Sequence, residues 1–213
     1  MRARILSAVF ALALILFILT VSIGLPIYIR PFYYAHIEPM GLEAYTGLTA
    51  EQLREAYNGI LDYLTLPSRP FSCGILPFSA EGEAHFADCR VLFDLNRNVL
   101  LMSGGILAVL LLLQKKFGPY RLGKRHAAWW AGLLALIAPL VIGALAALDF
   151  DRAFVIFHSI FFPGKTNWVF DWYQDPIIRV LPQDFFRNCA ILIGVGLVAM
   201  AVGILVWEGK RKK

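Results

Sequence analysis

Hydrophobic and polar positions along this 213-residue chain alternate in long blocks. Residues 5–29, 99–114, 127–148 and 189–207 contain no Asp, Glu, Lys or Arg. A bilayer core about 30 Å thick needs roughly 20 helical residues to cross it. Three of the blocks have that length. The second is short and borrows Asn98, with Arg97 snorkelling to the interface. Only helices satisfy their own backbone groups in lipid, apart from closed barrels. The pattern therefore predicts an all-α integral membrane protein, a single membrane domain over 1–213. Its transmembrane helices are expected at about 5–29, 98–114, 127–148 and 189–207. The first block is too long for a signal-peptide core of about 7–15 residues and reads as an uncleaved anchor.

The two remaining long segments, 30–97 and 149–188, are predicted to form a cap outside the cytoplasm. The first opens on an aromatic collar, Tyr28-Ile29-Arg30-Pro31-Phe32-Tyr33-Tyr34, suited to a membrane interface. Thr49 is a good N-cap with Gln52 as its capping-box partner. Leu53, Ala56, Tyr57, Ile60, Leu61 and Leu64 then recur at helical spacing, and Pro67 and Pro70 end the run. Ser79 caps a second helix with Glu81 and Glu83 near its first turn. That helix carries His85 and Asp88 and runs on toward the second span. In the other segment, residues 154–162 are apolar and aromatic around His158. Nine residues cannot cross a bilayer, so the stretch reads as interfacial or re-entrant, closed by a Pro163-Gly164 turn.

Charge sets the orientation. Lys and Arg crowd residues 1–4, 115–126 and 208–213, where Glu208 is the sole acid. The two cap segments hold more acids than bases. By the positive-inside rule the termini and the 115–126 loop are cytoplasmic. The net charge of +5 is thus a topology signal, with no basic–aromatic face for nucleic acid. A content of 59% hydrophobic and 16% charged residues agrees, soluble domains lying nearer half and a quarter. Cys73 and Cys89 fall in the outer segment, where either a disulfide or two free thiols is compatible with the compartment. No Cys/His spacing suits a metal.

His85 and His158 are the candidate catalytic residues, since imidazole gives and takes protons near neutral pH. Asp88 lies three residues after His85 on the same helical face and is positioned to orient its ring. His85 is equally compatible with an ordinary surface histidine on a polar helix. His158, within an apolar run, is also readable as a core histidine bonded to a carbonyl. Phe154, Phe157, Phe161, Phe162, Trp168 and Phe170 serve either as interface anchors or as a substrate chamber. His36 and His126 sit in unsuggestive surroundings. The chain has no Gly-x-Ser-x-Gly elbow, Gly-rich phosphate loop or His-Glu-x-x-His.

The stretches His85-Phe86-Ala87-Asp88, Phe157-His158-Ser159-Ile160-Phe161-Phe162, Trp168-Val169-Phe170-Asp171, Asp175-Pro176-Ile177-Ile178 and Leu181-Pro182-Gln183-Asp184-Phe185-Phe186 resemble the Lit family. These are bacterial lipoprotein intramolecular transacylases. The resemblance covers nearly the whole chain. One departure is Cys89-Arg90, where the family commonly has Val-Lys. The resemblance implies a bacterial plasma-membrane acyltransferase, active at the outer face and without metal or cofactor. Its partners would be membrane lipid and diacylglyceryl-modified lipoproteins. It would move the sn-2 acyl chain to the α-amino group of the lipoprotein's N-terminal cysteine, giving a lyso-form lipoprotein. The family's two catalytic histidines correspond to His85 and His158, and an aromatic chamber would hold the glyceryl head. The rival reading is a non-enzymatic lipid-sensing or accessory membrane protein.

Overall fold

The computed structural model describes residues 2–211. Its elements are α1 (Arg2–Tyr28), α2 (Pro31–Tyr34), α3 (Leu42–Thr46), α4 (Ala50–Thr65), α5 (Ala80–Phe117), β1 (Arg121–Leu122), β2 (Arg125–His126), α6 (Ala127–Leu148), α7 (Phe150–Phe161), α8 (Ile177–Val180) and α9 (Gln183–Lys210). Four of these helices, α1, α5, α6 and α9, are long and apolar enough to cross a membrane. They cover the four apolar blocks of the sequence. Among the described residues the one non-helical element is the β1–β2 hairpin, which pairs Arg121 with His126 and Leu122 with Arg125. Hydropathy does not mark it, because Leu122 is its one large apolar residue.

The chain divides into two compact units. The first comprises 1–25, 96–148 and 191–213. Its interior is built on small side chains: Ala131 and Ala201 are fully buried, and Ser7, Ser22 and Ser103 are buried with them. A Cβ on Gly196 would fall 2.7 Å from Leu25 Cδ1. Such close backbone approach is how helices associate in lipid, where apolar side chains gain nothing by leaving the tails. Small hydroxyls in this unit fold back on their own helix, whereas Asn96 Nδ2 on α5 donates to Thr20 O on α1 at 3.3 Å. Thr20 Oγ1 donates to Leu16 O at 2.8 Å and Ser22 Oγ to Ile18 O at 2.9 Å.

The second unit comprises 26–95 and 149–190. The two long connections thus share one core, centred on Tyr33, Leu53, Ile60, Cys73, Ile177, Val180 and Phe185. The ring of Tyr33 stacks on Tyr57 at 4.0 Å, and its hydroxyl donates to Val180 O at 3.0 Å. Arg30 donates to Asn58 Oδ1 at 3.0 Å and pairs with Asp62, docking the aromatic collar on α4. Thr49 and Gln52 form the capping box at the start of α4, and the helix stops at Thr65, ahead of Pro67. Cys73, Cys89 and Cys189 are free thiols.

Helix α5 runs uninterrupted for 38 residues, roughly 57 Å at 1.5 Å per residue. That is nearly twice the hydrocarbon thickness. Its first half carries Glu81, Glu83, Asp88, Arg90, Asp94 and Arg97, whereas residues 98–114 carry no charge. His85 therefore sits in the half unsuited to lipid. The start of α5 is tied to the 149–190 segment. Asp175, 4% exposed, accepts from Ser79 N at 2.8 Å and from Ser79 Oγ at 2.7 Å. Ser79 Oγ in turn accepts from Gly82 N at 2.9 Å. A Cβ on Gly82 would lie 2.2 Å from Asp175 Oδ1, so only glycine admits the carboxylate there.

Candidate active site

His85 lies one turn into α5, and His158 lies in the last two turns of α7. Asp149 caps α7 by accepting from Arg152 N at 2.9 Å. The two histidines, 73 positions apart in sequence, come together with ring centroids 5.9 Å apart and planes tilted by 30°. Both are buried, at 6% and 7% exposure. His85 is therefore no ordinary surface histidine.

Aromatic rings close around the pair. Phe162 lies 5.0 Å from His85 and 5.7 Å from His158. Trp168 stacks on His158 at 4.5 Å. Phe154 packs on His158 at 4.3 Å, and Phe170 on His85 at 5.4 Å. Phe157 meets His158 edge-on at 5.5 Å with half its surface open. Phe161 packs on Phe157 at 4.6 Å and is similarly exposed. Phe86, absent from the sequence-based set, stacks on Phe170 and completes the wall beside His85. With Val155, Ile156 and Ile160 also exposed, α7 presents a largely apolar outer face.

The ring nitrogens have different partners. His158 Nδ1 lies 2.7 Å from Phe154 O. A carbonyl only accepts, so Nδ1 carries the proton and Nε2 holds the free lone pair of the neutral ring. His85 Nε2 lies 3.4 Å from Cys89 Sγ, and its Nδ1 is buried without a partner. Burial pushes the Cys89 thiol up to about 12. It stays protonated, and where it donates to Nε2 the ring proton sits on Nδ1. An unpaired buried polar atom costs about 1–3 kcal/mol, so Nδ1 is poised for a group the site takes in.

Burial also disfavours imidazolium. It lowers His85 to about 4, reinforced by His158 and Lys165 and opposed by the Asp88 carboxylate. His158 is likewise lowered by burial, against the Phe154 hydrogen bond. Both rings are neutral at pH 7.

Asp88 makes different contacts from those the sequence suggests. Its carboxylate accepts from Lys165 Nζ and, at 3.2 Å, from Asn167 Nδ2. The Lys165 hydrogen bond, helped by Asn167, holds it below the usual carboxylate range. Its influence on His85 is through charge, while the ring is touched by Cys89. Lys165 and Asn167 are 77 and 79 positions from Asp88, and no pattern in the sequence joins them. Cys89 is four residues after His85, a helical spacing that was readable. His36 Nδ1 bonds to Phe32 O at 2.6 Å, and His126 belongs to the first unit, 2.5 Å from Glu208 Oε2. Among the described residues no His, Cys, Asp or Glu cluster could hold a metal ion.

Four long apolar helices, together with two buried histidines in an aromatic enclosure, define a multi-pass integral membrane protein with a site fit for proton transfer. The sequence profile described as lipoprotein intramolecular transacylase Lit matches residues 8–186. The chain belongs to that family, whose members are acyltransferases. The solved structure of the membrane-integral lipoprotein intramolecular transacylase Lit from Bacillus cereus is similar to it. The TM-score is 0.89 at 21% identity, covering 99% of this chain and 97% of that one. A variant of the same protein with a histidine replaced by alanine aligns with a TM-score of 0.82 at 22% identity, covering 99% and 95% of the two chains. An uncharacterized protein of Aquifex aeolicus (strain VF5) is 27% identical over 81 residues. That match spans 36% of this chain and 37% of the curated relative's length.

Proposed function

We propose that this protein moves the sn-2 acyl chain of a lipoprotein's diacylglyceryl group to the α-amino group of its N-terminal cysteine, with His85 and His158 as the catalytic residues. The observation that carries this reading is the pair of neutral, buried histidines with one ring nitrogen of each left for substrate.

Ester and amine belong to one molecule, so no acyl-enzyme is needed. The enclosure folds the substrate until the amine meets the ester carbonyl. Such positioning supplies on the order of 7–11 kcal/mol in the best intramolecular cases. His158 Nε2 takes a proton from the amine as nitrogen attacks carbon. His85 Nδ1–H donates to the carbonyl oxygen as it gains charge, as an oxyanion donor does. The tetrahedral adduct collapses, the carbon–oxygen bond to glycerol breaks, and a proton returns to the glycerol oxygen. Ester and amine become amide and hydroxyl with no change in mass. Acid and base catalysis each contribute roughly 10²–10⁴-fold. Phe154, Phe157, Phe161, Phe162, Trp168 and Phe170 line the chamber, the exposed face of α7 meeting acyl chains at the lipid surface.

The basic-residue bias supports a topology with both termini and the β1–β2 hairpin in the cytoplasm and the second unit outside, and the apolar blocks support spans at about 5–29, 98–114, 127–148 and 189–207. A cysteine introduced at Glu51 should then react with an impermeant thiol reagent in intact cells and one at Arg121 should not. The test of function is expression in a bacterial host lacking lipoprotein N-acylation, with mass spectrometry of lipoprotein N-termini. The expected product is a lyso-form of unchanged mass with its acyl chain on nitrogen. Loss of an acyl chain as free acid would indicate a hydrolase and overturn the reading.

A further inference from the structure

The loop after α7 brings Trp168 back onto His158, and it is tied to α5 through Asp88. A carboxylate held well ionised by Lys165 has no proton to give. The Asn167 atom facing it must therefore be the NH2 group. That fixes the orientation of the amide and leaves Asn167 Oδ1 free of the carboxylate. This oxygen is buried and has no hydrogen-bond partner. His85 Nδ1 is in the same condition. Asn167 immediately precedes the Trp168 ring that covers His158, and it bonds to α5 one turn beyond His85. Two unpaired polar atoms thus belong to residues that adjoin one aromatic enclosure, and one of them is purely an acceptor.

We propose that Asn167 Oδ1 binds the α-amino group of the substrate's N-terminal cysteine, accepting one N–H while His158 Nε2 accepts the other. This rests on the transacylase reading above. The nucleophile has two N–H bonds. One proton leaves to His158 as the nitrogen–carbon bond forms, and the other remains in the product amide. The N–H held by Asn167 is the one that remains. Fixing both N–H directions fixes the lone pair, which is then aimed at the ester carbon. Asp88 is a positioning residue in this scheme: it acts on the amine through the orientation of the Asn167 amide.

The experiment compares two synthetic diacylglyceryl-cysteine peptides, one with a primary α-amine and one with an N-methyl α-amine. The second has a single N–H, which the base must take. Full-length enzyme, Asn167→Ala and Asp88→Asn are each assayed on both, with kcat and KM resolved and thermal melts recorded. On the primary amine Asn167→Ala should lower kcat about fivefold, the worth of one net hydrogen bond, with KM little changed. On the N-methyl amine it should fall within twofold of wild type. Asp88→Asn leaves the amide intact but unpinned, and should show a smaller loss with the same selectivity. Equal losses on both peptides would overturn the proposal and leave the transacylase reading standing. Failure of the wild type to produce any N-acyl lyso-form from the primary amine would overturn that reading itself.

Discussion

The two units spend their polar groups differently. In the first, apart from Tyr120 donating to Leu110 O and Asn96 to Thr20 O, side-chain hydroxyls bond to carbonyls three or four residues back, as those of Thr20, Ser22 and Ser103 do. These bonds satisfy the side chain locally and bring nothing distant together. In the second, buried polar groups reach across the sequence: Asp175 to Ser79, Tyr33 to Val180, Asp88 to Lys165 and Asn167. Lipid makes every span solve its hydrogen bonding within itself, so the membrane helices are poor material for a site built from separate segments. The polar connections have no such restriction, and the histidines are brought together there.

The sharpest way to break this comparison is to remove the histidines. His85→Ala and His158→Ala should each lower lyso-form production by at least about a hundredfold, with protein abundance near normal. The readout is mass spectrometry of a reporter lipoprotein. Retention of most activity by either variant would leave chamber geometry as the only source of catalysis and remove the special standing of the second unit.

Next in size is the dependence on pH. Both histidines are lowered from the ordinary value, His85 to about 4. The free base of His85 is therefore fully populated above pH 6.5 and that of His158 predominates there, so the histidines add little to any rise in rate. The substrate amine attacks only when neutral, and an unperturbed α-amino group titrates at about 7.7–8.0. The kcat/KM profile should climb roughly 30- to 50-fold between pH 6 and pH 8 and level above about pH 9. A plateau reached by pH 7 would show that a histidine near its ordinary value, and not the amine, controls the rate.

A smaller effect is expected where a long-range tie serves the fold. Asp175→Ala frees Ser79 N and the start of α5, a loss of about 1–3 kcal/mol for an unpaired buried donor. Thermal melts in detergent should show a lower transition, with activity falling only as far as the folded fraction does. Gly82→Ala, which drives a methyl against Asp175, should act in the same direction.

The difference between the units also sets what the sequence disclosed. The spans were legible because lipid requires continuous apolar helices, and the capping box at Thr49 because its donors and acceptors are three residues apart. The histidines stood out by residue type and by their setting. What stayed hidden was their burial and their partners. Nothing local tells that the polar face of α5 is covered by residues 149–190, or that Asp88 turns to Lys165 and Asn167 instead of the ring three residues before it. The pairing of His126 with Glu208 was hidden for the same reason, the two being 82 positions apart.

The remaining histidines give the smallest effects and the closest test of the division. His36 lies in the second unit with its ring against Phe32 and Phe185 and Nδ1 on a carbonyl one turn back. That bond is local, like those of the spans, and its ring nitrogens serve no distant segment. His36→Ala should cost about 1 kcal/mol of stability, the worth of a single net hydrogen bond, and change activity less than about twofold, since the ring contacts Phe32 and Phe185 and neither His85 nor His158. His126 is the reverse case, in the first unit yet bonded across the chain to a Glu208 that is 2% exposed. Removing it leaves that carboxylate with Arg211 at 3.4 Å. His126→Ala should therefore lower the melting transition more than His36→Ala does, while leaving turnover by the folded enzyme unchanged. Paired melts and turnover assays on the two variants separate these outcomes. If His36→Ala abolished turnover, the proton chemistry would extend beyond the His85–His158 pair. If His126→Ala did so, the boundary between a unit that spans and a unit proposed to react would fail.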